Sequence, residues 1–327
     1  MPPGRAYRPL SAADPTQEQC ERLTAGIPRG QQVRGRPADL PGVPAAQAPG
    51  QREGTRIGSL HGGTCGPGRR IILFNYEPSR TVAALQNLLI GPQGPYTGKL
   101  LTDGLELYDT VADALKLVHF GCLQHCRTYY HKAAKVTELP SGKNLARVVI
   151  DEYIGKVYAI ERHIKELREE REKSGTTLPL ETVLKIRQER SAPVMAAFKE
   201  WVEKLLPGVP PTSALGKALP YTMNQWPKLV RFLDHPEVCV DNNYLENQIR
   251  PFAQGRRVWL FAQTQQGARA SANLYSLVSC ARVNGLEPYA YLRCLFEELP
   301  KATTAEALEA LLPWNVKPVV QAQCTTT

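Results

Sequence analysis

Two carboxylates stand where their context suits them to chemistry. Asp103 closes the apolar run Lys99-Leu100-Leu101-Thr102 and precedes Gly104, which places it at a strand end, over a sheet edge. Glu246 lies about three residues into a helix that should begin near Asn243. Brought together, an aspartate at a strand end and a glutamate on a helix supply oxygen ligands for Mg²⁺ or Mn²⁺. A pair of such ions roughly 3.5–4 Å apart activates a water or a 3′-hydroxyl and stabilises the leaving oxygen in phosphoryl transfer. Each residue also has a structural alternative. Asp103-Gly104 suits a hairpin turn between two strands. Asn243-x-x-Glu246 suits a capping box, and Glu246 with Arg250 has the i, i+4 spacing of a helical ion pair. Spacing alone leaves these alternatives open.

The elements that must position these residues can be read along the chain. Arg69 to Tyr76 is a β-favouring run between Gly66-Pro67-Gly68 and Pro78, and predicts a buried strand. Ser79 is placed to cap a helix through Val82, Leu85, Leu88 and Leu89 that stops near Gly91-Pro92. Lys99 to Gly104 and Leu117 to Phe120 read as further strands, the second leading into a helix from about Leu123 to Ala134. Strand–helix–strand order indicates a mixed α/β core. The centre is helical: Leu145, Val148, Val149, Ile154, Val157, Ile160, Ile164 and Leu167 recur at three- and four-residue steps. Helices over about Leu180 to Leu206 and Ser213 to Leu233 follow, with breaks at Ser174-Gly175 and at Pro207 to Pro211. The charge run from Lys165 to Lys173 reads as a solvated face.

Composition sets outer bounds. The chain has 327 residues, 43% of them hydrophobic, enough for one large or two ordinary domains. Lys and Arg total 40 against 31 Asp and Glu, a balance that suits a polyanionic partner without establishing one. There is no apolar stretch near the roughly 20 residues of a membrane span and no secretory h-region, so the reading is a soluble cytoplasmic protein with reduced thiols. Eight cysteines are too sparse for a disulfide scaffold. Cys122, Cys126 and His125 could share a metal. No second Cys/His pair stands at zinc-ligand spacing, so buried or idle cysteines are expected. Residues 1–56 differ from the rest, with nine Pro and seven Gly, arginine as their only basic residue type, and no periodicity. They read as a disordered tail; such a composition also arises when a GC-rich frame is translated out of phase.

The blocks beyond Asp241 carry more specific information. Val240-Asp241-Asn242-Asn243-Tyr244-Leu245-Glu246-Asn247-Gln248-Ile249-Arg250-Pro251-Phe252 continues through Gly255-Arg256-Arg257-Val258-Trp259-Leu260-Phe261-Ala262. Tyr275-Ser276-Leu277, Asn284 to Leu292 and Leu311 to Asn315 follow, while Leu219 to Trp226 and Gly121 to Arg127 lie upstream. This succession resembles the insertion sequence 66 family of transposases across about residues 57–315. The resemblance implies a ribonuclease-H-like α/β core with a mixed sheet, interrupted by a large helical insertion. On that layout residues 57–135 form the first part of the core, 136–235 the insertion, 236–300 the part with the acidic helix, and 301–327 a tail. It also implies an Asp, Asp, Glu metal triad that cuts and joins DNA strands with Mg²⁺ or Mn²⁺. By motif the second Asp falls on Asp103 and the Glu on Glu246. His125 and Arg127 match a His-x-Arg feature. Asn243, Arg250, Arg256 and Arg257 fall at positions expected to meet double-stranded DNA, since Arg suits bidentate phosphate contacts. The implied setting is the bacterial nucleoid, with a homo-oligomer on DNA.

The chain also departs from the family pattern. Where the first Asp should end a strand shortly before Gly58 stands Gln51-Arg52-Glu53-Gly54-Thr55-Arg56, and Asp14 and Asp39 lie beside proline in structureless sequence. The family's N-terminal helix, Cys-rich segment and basic linker are not recognised, and Thr128-Tyr129 stand where basic residues are common. The expectation is a transposase with two of three catalytic ligands and impaired strand transfer. The alternatives are a non-catalytic DNA-binding or assembly module and, behind it, an unrelated metal-dependent nuclease.

Overall fold

The computed structural model describes residues 32–35, 56–62, 71–77, 81–91, 94–136, 144–259 and 264–316. Three antiparallel strands, β1 (Gln32–Gly35), β2 (Arg56–Gly62) and β3 (Ile71–Glu77), form a sheet in that order. β1 thus falls within the stretch expected to lack regular structure, and it also lies alongside β6 (Lys99–Thr102). The run expected as a strand is β3, which buries Ile72, Phe74 and Tyr76 at alternate positions. Its backbone is covered by helix α10 (Gln265–Val283). The Phe74 amide donates to Ser276 Oγ at 2.8 Å and the Ile72 amide to Cys280 Sγ at 3.2 Å. Two side chains one helical turn apart therefore satisfy groups that a bare strand edge would leave open to other chains.

Helix α1 (Val82–Leu89) is capped by Thr81, whose Oγ1 accepts from the Ala84 amide at 3.2 Å, rather than by Ser79. The short strands β4 (Ile90–Gly91) and β5 (Gly94–Pro95) pair with each other. β6 then pairs with β7 (Val118–Gly121) in parallel, from Lys99↔Val118 to Thr102↔Gly121. A parallel pair needs a crossover, and helix α2 (Glu106–Ala114), which sequence reading did not identify, supplies it. The hairpin reading of Asp103-Gly104 is thereby excluded.

Helix α3 (Leu123–Val136) leaves β7 and docks on the central helical block. In that block α4 (Leu145–Val148) continues through a π-helical stretch, Val149–Ile154, into α5 (Gly155–Lys173). After the break at Gly175, α6 (Leu180–Ile186) passes through a second π stretch, Arg187–Ser191, into α7 (Ala192–Leu205), and α8 (Ala214–Leu229) follows. Both breaks fall where Ser174-Gly175 and the proline cluster put them. Leu123, Cys126, Tyr130 and Ala133 on one side of α3 pack against Val149, Ile154, Phe198 and Leu219. Burying an aliphatic or aromatic side chain of this kind contributes about 1.5–3 kcal/mol. The chain ends in α9 (Asn243–Trp259), α10, α11 (Pro288–Glu298) and α12 (Ala305–Ala310). Leu312, in the segment read as a tail, is buried against Leu277, Tyr291 and Leu295.

Among the described residues no helix is long and apolar enough to cross a membrane. Cys122, Cys126, Cys280 and Cys294 are free and buried, whereas Cys239 is disulfide-bonded, unlike the reduced thiols expected throughout.

The central helical block is locked by Arg187, whose side chain is fully buried. Its Nε and Nη2 donate to the two Glu161 carboxylate oxygens, each at 2.8 Å, and Nη1 donates to the Phe232 and His235 carbonyls at 3.0 Å. The guanidinium also sits 5.3 Å from the Phe232 ring centroid. This fork ties α5 and the π stretch to the chain leaving α8. Arg187→Ala strands a partly buried carboxylate and two carbonyls, and is expected to cost about 3 kcal/mol in urea unfolding. Arg187→Lys, unable to form the fork, should recover only part of that loss.

Candidate functional site

The site is built where β7 turns into α3. The Leu123 amide donates to the Val240 carbonyl at 2.9 Å, and the Cys122 thiol donates to Asn242 Oδ1 at 2.9 Å. From α5, the Tyr158 hydroxyl donates to Asp241 Oδ2 at 2.6 Å. These contacts seat residues 240–242 against the end of the parallel pair. Asp241 then starts α9: its Oδ1 accepts from the Asn243 amide at 3.0 Å, and its Oδ2 from Asn243 Nδ2 at 3.2 Å. The capping-box alternative is therefore corrected, because Asp241 caps the helix rather than Asn243 with Glu246. The Glu246 amide bonds to the Asn242 carbonyl at 3.1 Å, and its carboxylate Oε1 lies 3.6 Å from His125 Nε2.

Asp103 sits just past β6. Its Oδ1 accepts from the Leu105 amide at 3.3 Å, and its carbonyl accepts from the Tyr221 hydroxyl at 3.2 Å. Gly104 has φ +85°, and a Cβ there would lie 2.9 Å from Tyr221 Oη, so both conformation and space require glycine.

The structure brings Asp103 and Glu246 within electrostatic reach of each other and adds Asp241. Burial, then the charges of Asp241 and Asp103, push the Glu246 carboxyl up to about 7, against the pull of Arg250 and Asn242. Glu246 Oε1 is buried without a hydrogen-bond partner among the described residues. A divalent cation would relieve both the repulsion and the unsatisfied oxygen, so the donors fit such an ion in type and charge. Among the described residues, no three His, Cys, Asp or Glu side chains are disposed to enclose one by themselves. Cys122 and Cys126 behave as the buried thiols expected of them. Cys122 is bonded to Asn242, and Cys126 lies 3.5 Å from Thr222 Oγ1 with its thiol pushed up to about 12 by burial.

The residues expected on DNA divide into three groups. His125 and Arg127 lie beside the carboxylates on the first turns of α3; the Arg127 guanidinium is 5.6 Å from the Tyr158 ring centroid, and its buried Nε has no hydrogen-bond partner among the described residues. Arg250 is exposed on α9, whereas Asn243 donates its amide to Asp241. Arg256 and Arg257 fall on the last turns of α9, where the backbone alone is described, and Gln51 to Thr55, Asp14 and Asp39 lie outside the described residues. Sequence reading missed Tyr158 and the roles of Asp241, Asn242 and Cys122. An aspartate two residues before a helix start is a capping signal that points to Asp241, but Tyr158 gives no local signal.

The Glu246 shift carries a pH signature. Its ordinary value is 4.5, so between about 4.5 and about 7 the native state keeps a proton that the unfolded chain has released. Stability therefore falls as pH rises through that interval and levels off above it. In EDTA, wild type is expected to lose up to about 3 kcal/mol more than Glu246→Gln between those limits, as read by urea unfolding. Parallel profiles would remove the buried-carboxylate account.

Comparison with known proteins places this geometry in a family. The model of "Transposase IS66 family" matches residues 43–270, beginning within the stretch that reads unlike the rest, and "IS66 C-terminal element" matches residues 276–314. Relatives include three proteins of Sinorhizobium fredii, each described as uncharacterized. y4jD is 31% identical over 77% of this chain and 47% of its own length. y4qI is 27% identical over 79% and 45%, and y4hP 26% identical over 68% and 40%. The chain thus spans less than half the length of these relatives. No solved structure matches. With the matched model covering Asp103, His125, Arg127 and the whole of α9, the chain belongs to the IS66 family of transposases.

Proposed function

We propose that this chain carries the DNA-cutting site of an insertion-sequence transposase, with Asp103 and Glu246 as ligands for Mg²⁺ or Mn²⁺. The observation that carries the reading is that two carboxylates distant in sequence come within electrostatic reach, where burial first and then the charges of Asp241 and Asp103 push Glu246 up to about 7. Carboxylates that repel one another at a buried position are the kind of donor set a divalent cation would stabilise. A bound divalent ion supplies activation of the attacking water or 3′-hydroxyl and neutralises charge on the phosphate. His125 Nε2 faces the Glu246 carboxylate at 3.6 Å, beyond hydrogen-bond distance, and Tyr221 fixes the Asp103 turn through its carbonyl. Arg127 and Arg250 supply positive charge for the flanking phosphates of duplex DNA, and Arg256 and Arg257 extend that surface along α9.

The order β3-β2-β1 with β1 beside β6, and β6 parallel to β7, supports a ribonuclease-H-like core in which α4 to α8 are the insertion. The segment preceding β2, Gln51 to Thr55, offers no aspartate, and loss of one carboxylate removes both charge and geometry from a two-ion site. We therefore propose that catalysis is impaired. The non-catalytic reading, a DNA-binding or assembly module, is favoured by the same gap and by the lack of three converging ligands among the described residues.

Duplex oligonucleotides carrying the element's ends, incubated with Mn²⁺ or Mg²⁺, should give little or no strand-transfer product. Residual Mn²⁺-dependent nicking should vanish in Asp103→Asn and Glu246→Gln. Nicking that survives both substitutions would sink the metal assignment, and vigorous transfer abolished by Glu246→Gln would sink the impairment. Duplex binding should weaken steeply with salt whether or not cutting occurs.

A further inference from the structure

Helix α3 begins at the carboxylates and leads away from them. His125, in its first turn, faces Glu246, and the sequence Leu123 to Val136 then contains Arg127, His131, Lys132 and Lys135 with no acidic residue. Arg127, His131 and Lys135 recur at four-residue steps and share one side of the helix. Like charges at that spacing oppose one another, so such a stripe costs the free helix stability. Their proximity shows in His131, whose protonation is depressed by burial and then by Arg127, Arg147 and Lys135.

On the flank of α3 away from that stripe, next to Lys132, lies an aromatic pair. Tyr129 stacks on Tyr221 with ring centroids 4.1 Å apart and planes 21° apart. Tyr129 is 37% exposed, and the Lys132 ammonium lies 5.9 Å from its ring centroid on a stem long enough to swing away. Tyr221 is the residue whose hydroxyl holds the Asp103 carbonyl, so the platform is anchored at the candidate site itself. From His125 to Lys135 the helix rises about 15 Å, room for several nucleotides.

We propose that the outer face of α3 is a track for an unpaired DNA strand passing from the carboxylates. A nucleobase next to the reacting phosphate stacks on Tyr129, and the following phosphates meet Lys132 and Lys135, which follow it at three-residue steps. A half-exposed aromatic ring among cations suits unpaired DNA, because a base inside a duplex has no free face to offer while a splayed base does. The proposal rests on the carboxylates acting on DNA, but it concerns binding and can fail separately.

The test is fluorescence anisotropy of a labelled oligothymidine, and of a duplex of equal length, in EDTA so that no cutting is involved. Tyr129→Ala and Tyr129→Leu should weaken oligothymidine binding about 5- to 100-fold, Tyr129→Phe should retain it, and duplex affinity should not change. The Leu variant keeps apolar cover over Tyr221, and thermal unfolding of each variant monitors the fold. Lys132→Ala with Lys135→Ala should lower the slope of log affinity against log salt by about 0.7 for each lost phosphate contact. Wild-type oligothymidine binding by Tyr129→Leu, or an equal loss on single strand and duplex, would overturn the stacking platform. An unchanged salt slope in the double lysine variant would overturn the track. Loss of nicking in the Asp103 and Glu246 variants bears only on the metal assignment.

Discussion

The structure depends on the stitch between the end of β7 and residues 240–242. Two bonds make it, the Leu123 amide to the Val240 carbonyl and the Cys122 thiol to Asn242 Oδ1, and Tyr158 adds a third from the helical block. Because Asp241 is held from one side by Tyr158 and caps α9 from the other, the direction of α9 is set by the place where the stitch falls. Glu246, one turn into that helix, has little freedom to point elsewhere. A cysteine serves here because it is small, buried and a weak donor, and burial keeps it protonated. A thiolate in its place would repel both Asp241 and Glu246.

The helical block has a positional role as well as bulk. It separates the strand carrying Asp103 from the helix carrying Glu246, yet it returns Tyr158 to Asp241 and Tyr221 to Asp103. Any slip of α5 or α8 would therefore reach both carboxylates. Arg187 opposes such a slip by joining α5 to the chain that leaves α8. A buried guanidinium is costly to desolvate, so its value lies less in net stability than in allowing one arrangement only. Its planar fork matches one carboxylate and two carbonyls at once, which an ammonium cannot do.

Much of the fold was legible because period and punctuation agreed. β3 alternates, the central helices keep their three- and four-residue steps, and glycine or proline stands at the breaks between them. The misreadings have equally local causes. Thr81 displaced Ser79 as a cap because both hydroxyl residues lie ahead of the same apolar run. Asp103-Gly104 has the composition of a hairpin turn, and only the parallel pairing of β6 with β7, which requires α2 between them, excludes it. The capping box failed because Asp241, one position before Asn242, takes the Asn243 amide, while the Glu246 amide bonds to the Asn242 carbonyl.

The sequence by itself determined which residues are candidates for chemistry and in what kind of element they sit. An aspartate at a strand end, a glutamate one turn into a helix, and the order of motif blocks were all readable from residue types and spacing. What only the tertiary structure decided was their company. That Asp241 stands beside Glu246, that burial and two neighbouring charges raise its carboxyl toward neutrality, and that Tyr129 stacks on the tyrosine holding Asp103 are contacts between distant segments. Local propensity acts over a few residues, whereas a carboxylate's charge state is set by everything within several ångströms. Residue types and spacing nominate the candidate ligands, and packing determines what a cation would find there.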